Sequence, residues 1–109
     1  MEQGQLPFED DEAAADLDWL REWAATTRWT FARTVPDQPH EYVRADPDYS
    51  KVAALIRRYG ISRSWPPETS ELHGKVRPRP YRYLDLGNGF ELWVGPSNFV
   101  NRGRVGRLD

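Results

Sequence analysis

Hydrophobic and polar residues alternate most regularly between positions 80 and 94, where Gly87-Asn88-Gly89 separates two runs. Glycine and asparagine tolerate the positive φ angles of tight turns, so this pattern predicts a β-hairpin. A three-residue loop pairs Leu84 with Leu92. A two-residue loop would shift the pairing by one position and mix apolar with polar residues on each face, which is unfavourable. We therefore predict the three-residue loop.

This register gives the hairpin two different faces, because successive residues of a strand point to opposite sides of the sheet. One face is aliphatic and suits a core; it carries Leu84, Leu86, Phe90, Leu92 and Val94. The other face is aromatic and acidic; it carries Tyr81, Tyr83, Asp85, Glu91 and Trp93.

Apolar residues recur with helical periodicity in two further segments, 12–27 and 50–59, and predict two helices. The first has a broad apolar face made by Leu17, Trp19, Leu20, Trp23 and Ala24. The second has a face made by Val52, Leu55, Ile56 and Tyr59. Asp48 or Ser50 is available as the N-cap of the second helix, and Gly60 is expected to end it.

Shorter alternating runs predict strands at 29–34 and 40–44, and the prolines between them predict a turn, so these strands can form a second hairpin. On the strand 40–44, His40, Tyr42 and Arg44 share one face. Residues 61–79 lack a regular pattern, and we interpret them as a long irregular loop. A further short strand or turn is expected near residues 96–102.

These elements predict an α+β fold, with a small antiparallel sheet of four to five strands and two helices packed on one of its faces. Residues 1–11 are expected to be a disordered acidic leader. Residues 12–102 then form a single α+β domain that includes the irregular loop 61–79, and residues 103–109 form a flexible basic tail.

Composition limits the class of protein. The chain has 109 residues and no cysteine, which excludes disulfides and thiolate metal sites. No apolar run approaches the ~18 residues of a membrane span, and no signal-peptide pattern opens the sequence, so we expect a cytoplasmic protein without a membrane partner. No cofactor is predicted. No metal site is predicted either, because the two histidines and the acids show no ligand spacing.

The net charge of −2 conceals an asymmetry. Seven of the 17 acids lie within residues 1–18, which contain no base, so the rest of the chain has ten acids and 15 bases. Thirteen of these bases are arginines, whose planar guanidinium groups suit phosphate or carboxylate. The arginine content indicates an anionic partner, or it reflects only the composition of the genome.

The face of His40, Tyr42 and Arg44 is the best candidate for chemistry. His40 and Tyr42 are the predicted catalytic pair, since histidine titrates near neutral pH and a phenol can assist proton transfer. Arg44 is the predicted anion-binding residue. Aromatic walls for a ligand site could come from the hairpin, with Tyr81, Tyr83, Asp85 and Trp93 as ligand-binding residues. In the alternative interpretation, His40 is a structural hydrogen-bonding residue and the hairpin aromatics pack under helix 12–27.

The chain combines several short motifs: Trp29, Phe31-Ala32-x-Thr34-x-Pro36, Pro39-His40-Glu41-Tyr42, Tyr81-x-Tyr83-Leu84-Asp85, Trp93 and Asn101-Arg102. The combination, over residues 19–102, resembles a family of small bacterial proteins to which no established activity is attached. The resemblance implies a grouping without a mechanism. It adds Asn101 and Arg102 to the candidate ligand-binding residues.

Two functions are compatible with these features. In the first, a small domain binds or processes a nucleotide or nucleic-acid phosphate through the His/Tyr/Arg face and the aromatic hairpin, because aromatic side chains beside arginine suit a base and its phosphate. In the second, the protein is a non-enzymatic module that binds a protein partner through the aromatic face and the 61–79 loop, since aromatic and arginine residues also dominate protein interfaces. The sequence does not decide whether the protein is an enzyme, nor its oligomeric state.

Overall fold

Two helices and six antiparallel strands form the part of the chain that the computed structural model describes, residues 11–33, 39–95 and 99–105. The helices are α1 (Asp11–Thr26) and α2 (Tyr49–Tyr59). The strands are β1 (Thr30–Arg33), β2 (Pro39–Val43), β3 (Ile61–Trp65), β4 (Arg79–Asp85), β5 (Phe90–Val94) and β6 (Val100–Arg104). The predicted α+β class is confirmed, and the sheet has more strands than the four or five predicted.

The strand order is β1-β2-β6-β5-β4-β3, and every neighbouring pair is antiparallel. The C-terminal strand β6 therefore lies in the middle of the sheet. It joins the hairpin β1–β2 to the strands β3, β4 and β5. As a result, residues near position 40 become neighbours of residues near position 93, although the two groups are far apart in the sequence.

The β4–β5 hairpin has the predicted register. Leu84 lies opposite Leu92. The Leu86 amide donates a hydrogen bond to the Phe90 carbonyl at 3.0 Å, which closes the three-residue loop. Gly89 has a φ of 93°, a conformation that residues with a Cβ rarely adopt. The turn residues therefore determine the pairing, as the sequence predicts.

Both helices pack on the aliphatic face of the sheet, which we call the helix face. Its buried strand residues are Val43, Leu84, Leu86, Leu92, Val94 and Val100. The helices contribute Leu20, Trp23, Ala24, Val52, Ala53, Leu55 and Ile56 to the same core. The prediction that the helices lie on one face, with their apolar stripes toward the sheet, is confirmed.

Asp46 fastens the end of α1 to the start of α2. Its carboxylate accepts hydrogen bonds from Trp23 Nε1 at 3.2 Å, from the Thr27 hydroxyl at 2.8 Å and from the Asp48 amide at 2.8 Å. Burial alone would raise the pKa of Asp46, but these three hydrogen bonds outweigh it and the pKa is lowered. Asp48 occupies the N-cap position of α2 without a capping hydrogen bond from its own side chain.

Two predicted boundaries are wrong. Residues 61–65 form strand β3, although we predicted an irregular loop over 61–79. Four of the five β3 residues are exposed, because the strand lies at the sheet edge, so its hydrophobic pattern is too weak to detect. Gly103 and Arg104 belong to β6 and not to a flexible tail, because they pair with Glu91 and Phe90.

The predicted leader 1–11 falls outside the described residues except for Asp11, which begins α1. Residues 106–109 of the predicted tail also lie outside them. Within the described ranges, neither helix combines the length and the apolar character that a membrane crossing requires.

Candidate functional site

The face of the sheet opposite the helices carries most of the predicted site residues, and we call it the open face. Antiparallel partners point to the same side of a sheet, so the register assigns its members. They include His40, Tyr42, Arg63, Tyr81, Tyr83, Asp85, Glu91, Trp93, Asn101 and Gly103. Its aromatic side chains are half-buried, so part of each ring remains accessible to a ligand.

One row of paired residues crosses the middle of the open face. Tyr42 lies opposite Asn101, Asn101 opposite Trp93, and Trp93 opposite Tyr83. Since α1 lies on the other side of the sheet, the alternative in which these aromatics pack under helix 12–27 is wrong. Strand β6 therefore unites the two groups of residues that the sequence placed on separate hairpins.

Because Gly103 has no side chain, it leaves a gap above the sheet, and the side chains of Trp93, Glu91 and His40 approach each other around this gap. A Cβ atom at Gly103 would lie 3.1 Å from Trp93 Cζ3 and 3.2 Å from Glu91 Oε2, closer than most real contacts. On the other side of the gap, the ring centroids of His40 and Trp93 are 5.6 Å apart, with their planes at 48°. Because glycine has no side chain, the indole and the carboxylate can lie across β6 toward His40.

Tyr83 lies between groups of opposite charge. The Arg63 guanidinium is 3.7 Å from the centre of its ring, a short cation–π distance. The Glu91 carboxylate, from β5 on the other side of β4, lies near the phenol. Burial, followed by hydrogen bonding with Glu91, raises the pKa of Tyr83 well above its ordinary value. The open face therefore has a cation and an anion on either side of an aromatic surface.

Arg44 extends the open face beyond the end of β2. Its guanidinium lies 5.3 Å from the centre of the Phe99 ring, and Tyr42 makes an edge-to-face contact with the same ring at 5.2 Å. Arg44 is exposed, so its charge is available to an anion in solution. The predicted set of His40, Tyr42 and Arg44 thus follows β2 from its beginning to just beyond its end.

Tyr81 lies near the opposite edge of the sheet. It lines a shallow groove of about 890 Å³ along β3, together with Trp65, Pro67 and Glu68. This groove adjoins the open face at Tyr81 and Arg63. A ligand longer than a single nucleotide or residue could therefore continue from the open face into the groove.

Arg102 has structural partners, and its ligand-binding role stays a prediction. Its Nε and Nη2 atoms donate to Glu41 Oε1, and its Nη1 atom donates to the Ala24 carbonyl at 2.8 Å. Its guanidinium lies 4.7 Å from the ring centres of both Trp29 and Phe90. The side chain points to the helix face and is only 16% exposed, so it holds α1 against the sheet.

Two other predicted residues have local structural roles within the open face. Asp85 Oδ1 accepts a hydrogen bond from the Gly87 amide at 2.8 Å, which supports the hairpin turn. The Asn101 side-chain amide donates to the carbonyls of Phe99 at 3.2 Å and Trp93 at 3.4 Å. These contacts orient both side chains.

Sequence reasoning missed Arg63, Phe99 and Gly103, and it did not select Glu91. Arg63 lay in the predicted loop and Gly103 in the predicted tail, so no pattern marked either as part of a sheet. Glu91 was assigned to the aromatic and acidic face of the hairpin, and that assignment was a usable signal. Its relation to Gly103 depends on the pairing of β5 with β6.

Among the residues that the structure describes, no three histidine or acidic side chains come together as ligands for a metal. Comparison of the chain with protein-family models, with curated proteins and with solved structures gives no match. A function for this chain must therefore be inferred from the chemistry of the open face.

Proposed function

We propose that the open face binds a nucleotide or a short stretch of single-stranded nucleic acid. The base stacks on Trp93, beside Tyr83, and the phosphate lies near Arg63 or Arg44. The observation that carries this proposal is the convergence of aromatic side chains from β2, β4 and β5 on a sheet face that lies opposite both helices. The catalytic roles of His40 and Tyr42 stay a prediction, so we propose binding and not turnover.

The aromatic surface supports stacking. Each base has a flat π-face, and stacking on an exposed aromatic ring contributes about 1–3 kcal/mol per base. Trp93 and Tyr83 are cross-strand neighbours, and His40 lies against Trp93 at 5.6 Å. This arrangement offers adjacent half-exposed rings instead of one isolated ring, which suits a base and its sugar or two successive bases.

Three exposed arginines support the binding of a phosphate at one end of the open face. Arg63, Arg44 and Arg79 are all exposed and lie toward one end of the strands of the open face. Guanidinium groups bind phosphate through two parallel hydrogen bonds. Since each phosphate contact on a single strand contributes about 0.7 to the logarithmic salt dependence, three contacts predict a slope of roughly −2.

The test is a tryptophan fluorescence titration with mononucleotides and short single-stranded oligonucleotides, at low and at high salt. We expect quenching that saturates, with an affinity that falls as salt rises. The variant Trp93→Leu should lose the quenching and most of the affinity, because leucine keeps apolar volume but cannot stack. Arg63→Ala and Arg44→Ala should weaken binding and reduce the salt slope, while circular dichroism shows an unchanged fold.

Trp19→Phe is the matched control for the tryptophan variant. Trp19 is also half-buried, but it lies on α1, with the Lys51 ammonium 4.1 Å from its ring. It should bind like the wild type. Equal effects of Trp93→Leu and Trp19→Phe, or no saturable binding by the wild type, would contradict the proposal.

One observation favours a second candidate function, a protein-binding module. The groove along β3 contains Trp65 and lies next to an exposed edge strand, and Ile61 of that strand is 54% exposed. An exposed edge can accept an added strand from a partner. In that case a protein partner would bind with little salt dependence, and Trp65→Ala would weaken it more than Arg44→Ala.

A further inference from the structure

We infer that Glu91 selects the base bound on the open face and that the preferred base is guanine. The inference rests on the proposed nucleotide binding and adds a specificity to it. It is argued from the position of the Glu91 carboxylate beside the Trp93 ring, from the chemistry of a carboxylate, and from the opposite charge of Arg63 across Tyr83.

The carboxylate of Glu91 lies beside the ring on which a base would stack. Glu91 Oε2 and Trp93 Cζ3 both come within 3.2 Å of one point above Gly103. A base that lies on the indole therefore brings one of its edges next to the carboxylate. Glu91 is only half-buried, so this oxygen can be reached from the open side of the sheet.

A carboxylate accepts hydrogen bonds and donates none. Guanine presents two adjacent donors on its Watson–Crick edge, N1–H and the N2 amine, which match the two oxygens of one carboxylate. Adenine and cytosine present one amine beside a ring nitrogen that is itself an acceptor, and uracil presents one N–H between two carbonyls. These acceptors would face the negative carboxylate, so the same group that favours guanine disfavours the other bases.

The Glu91 carboxylate keeps acceptor positions for a ligand. A carboxylate has about four acceptor positions, and the neighbouring Tyr83 phenol can occupy only one of them. Arg63 comes from β3 and Glu91 from β5, the strands on either side of β4, and the Arg63 guanidinium is 3.7 Å from the centre of the Tyr83 ring. A guanine nucleotide has donors at one end and an anionic phosphate at the other, which matches this order of charges.

The experiment is a titration of the full chain with GMP, IMP, AMP, CMP and UMP, followed by tryptophan fluorescence. We expect GMP to bind roughly tenfold more tightly than UMP, since it forms two charge-assisted hydrogen bonds. IMP lacks the N2 amine and should fall between them. Glu91→Gln should reduce the GMP preference to within about twofold while binding of UMP persists.

Glu22→Gln is the matched control, because it removes the same carboxylate from an exposed position of α1, on the other side of the sheet. It should retain the preference for GMP. Equal affinities of the wild type for all five nucleotides would overturn the inference and leave the proposed function standing. A preference that survives Glu91→Gln would also overturn it. Absence of binding by every mononucleotide and every oligonucleotide would show that the proposed function itself is wrong. Titration with guanine-containing and guanine-free oligonucleotides then separates a free nucleotide from a strand as the ligand.

Discussion

Replacement of Arg102 by alanine removes one guanidinium that holds three parts of the fold together. It hydrogen-bonds Glu41 on β2 and the Ala24 carbonyl at the end of α1. It also lies between the rings of Trp29 and Phe90, at 4.7 Å from each centre. We expect this substitution to destabilise the protein strongly, since no other side chain can supply all of these contacts from the centre of β6.

The loss of stability expected for Arg102→Ala depends on how deeply Arg102 and Glu41 are buried. Removing one partner of a buried, hydrogen-bonded ion pair typically costs about 3–5 kcal/mol, because the remaining charge is left without compensation. Glu41 is 35% exposed, so water partly compensates its charge and lowers the cost. We therefore expect a loss of about 2–4 kcal/mol in the free energy of unfolding. Against a total of about 5–15 kcal/mol for a small domain, this is a large fraction.

Urea unfolding monitored by circular dichroism measures the difference in the free energy of unfolding between the wild type and each variant. Arg102→Lys keeps the positive charge but loses the two-pronged contact with Glu41 and the flat stacking between the rings, so it should cost about 1–2 kcal/mol. Arg104→Ala is the matched control on the same strand. Its guanidinium is exposed and lies 5.4 Å from the Phe90 ring, so its loss should cost less than about 0.5 kcal/mol.

If Arg102→Ala and Arg104→Ala unfolded at the same urea concentration, this reasoning would be refuted. A double-mutant cycle with Glu41→Gln adds a second check, because a direct pair should show a coupling of at least about 0.5 kcal/mol. The ligand-binding role predicted for Arg102 can be tested in the same series. If Arg102→Lys folded with wild-type stability but lost nucleotide binding, the assignment of Arg102 to the fold would be wrong.

Three further predictions concern the turn and two titrating groups. Gly89→Val should cost about 1 kcal/mol or more in urea unfolding, because a β-branched residue is strained at the φ of 93°, and an unchanged midpoint would contradict the turn. Since the pKa of Asp46 is lowered from 3.8, its stabilisation is present above that pH and is lost as the pH falls through the folded-state value. Asp46→Asn should therefore be less stable at neutral pH and lose less stability on acidification. A hydrogen bond to Asp16 raises the pKa of Tyr59 to about 12, so its contribution should be complete below pH 10 and be lost as the pH rises toward 12. In thermal unfolding, the melting temperature of Tyr59→Phe should therefore fall less than that of the wild type as the pH rises from 10 toward 12.

Local signals in the sequence were sufficient for the elements whose pattern is regular. The turn Gly87-Asn88-Gly89 and the alternation on either side of it determine the hairpin register, because both act between residues that are close in the chain. The same holds for α1 and α2, whose apolar stripes predict the buried side. Strand β3 was missed because an edge strand with exposed residues carries little hydrophobic pattern.

The sequence alone also determined that the hairpin has an aromatic face, but only the tertiary structure decided what lies beside it. Insertion of β6 between β2 and β5 brings His40 to Trp93 and places Gly103 beneath the Trp93 ring. That pairing depends on backbone groups and on core packing between distant segments, and no local pattern encodes it.

Arg102 shows the same difference between what the local sequence pattern determines and what the tertiary structure decides. It has the same parity as the buried Val100, so alternation along β6 assigns it to the helix face. Whether an arginine can occupy that face depends on a partner for its charge, and Glu41 lies 61 residues away in the chain. Local periodicity therefore determined the face on which each side chain lies, and only the assembled sheet determined which side chains became partners.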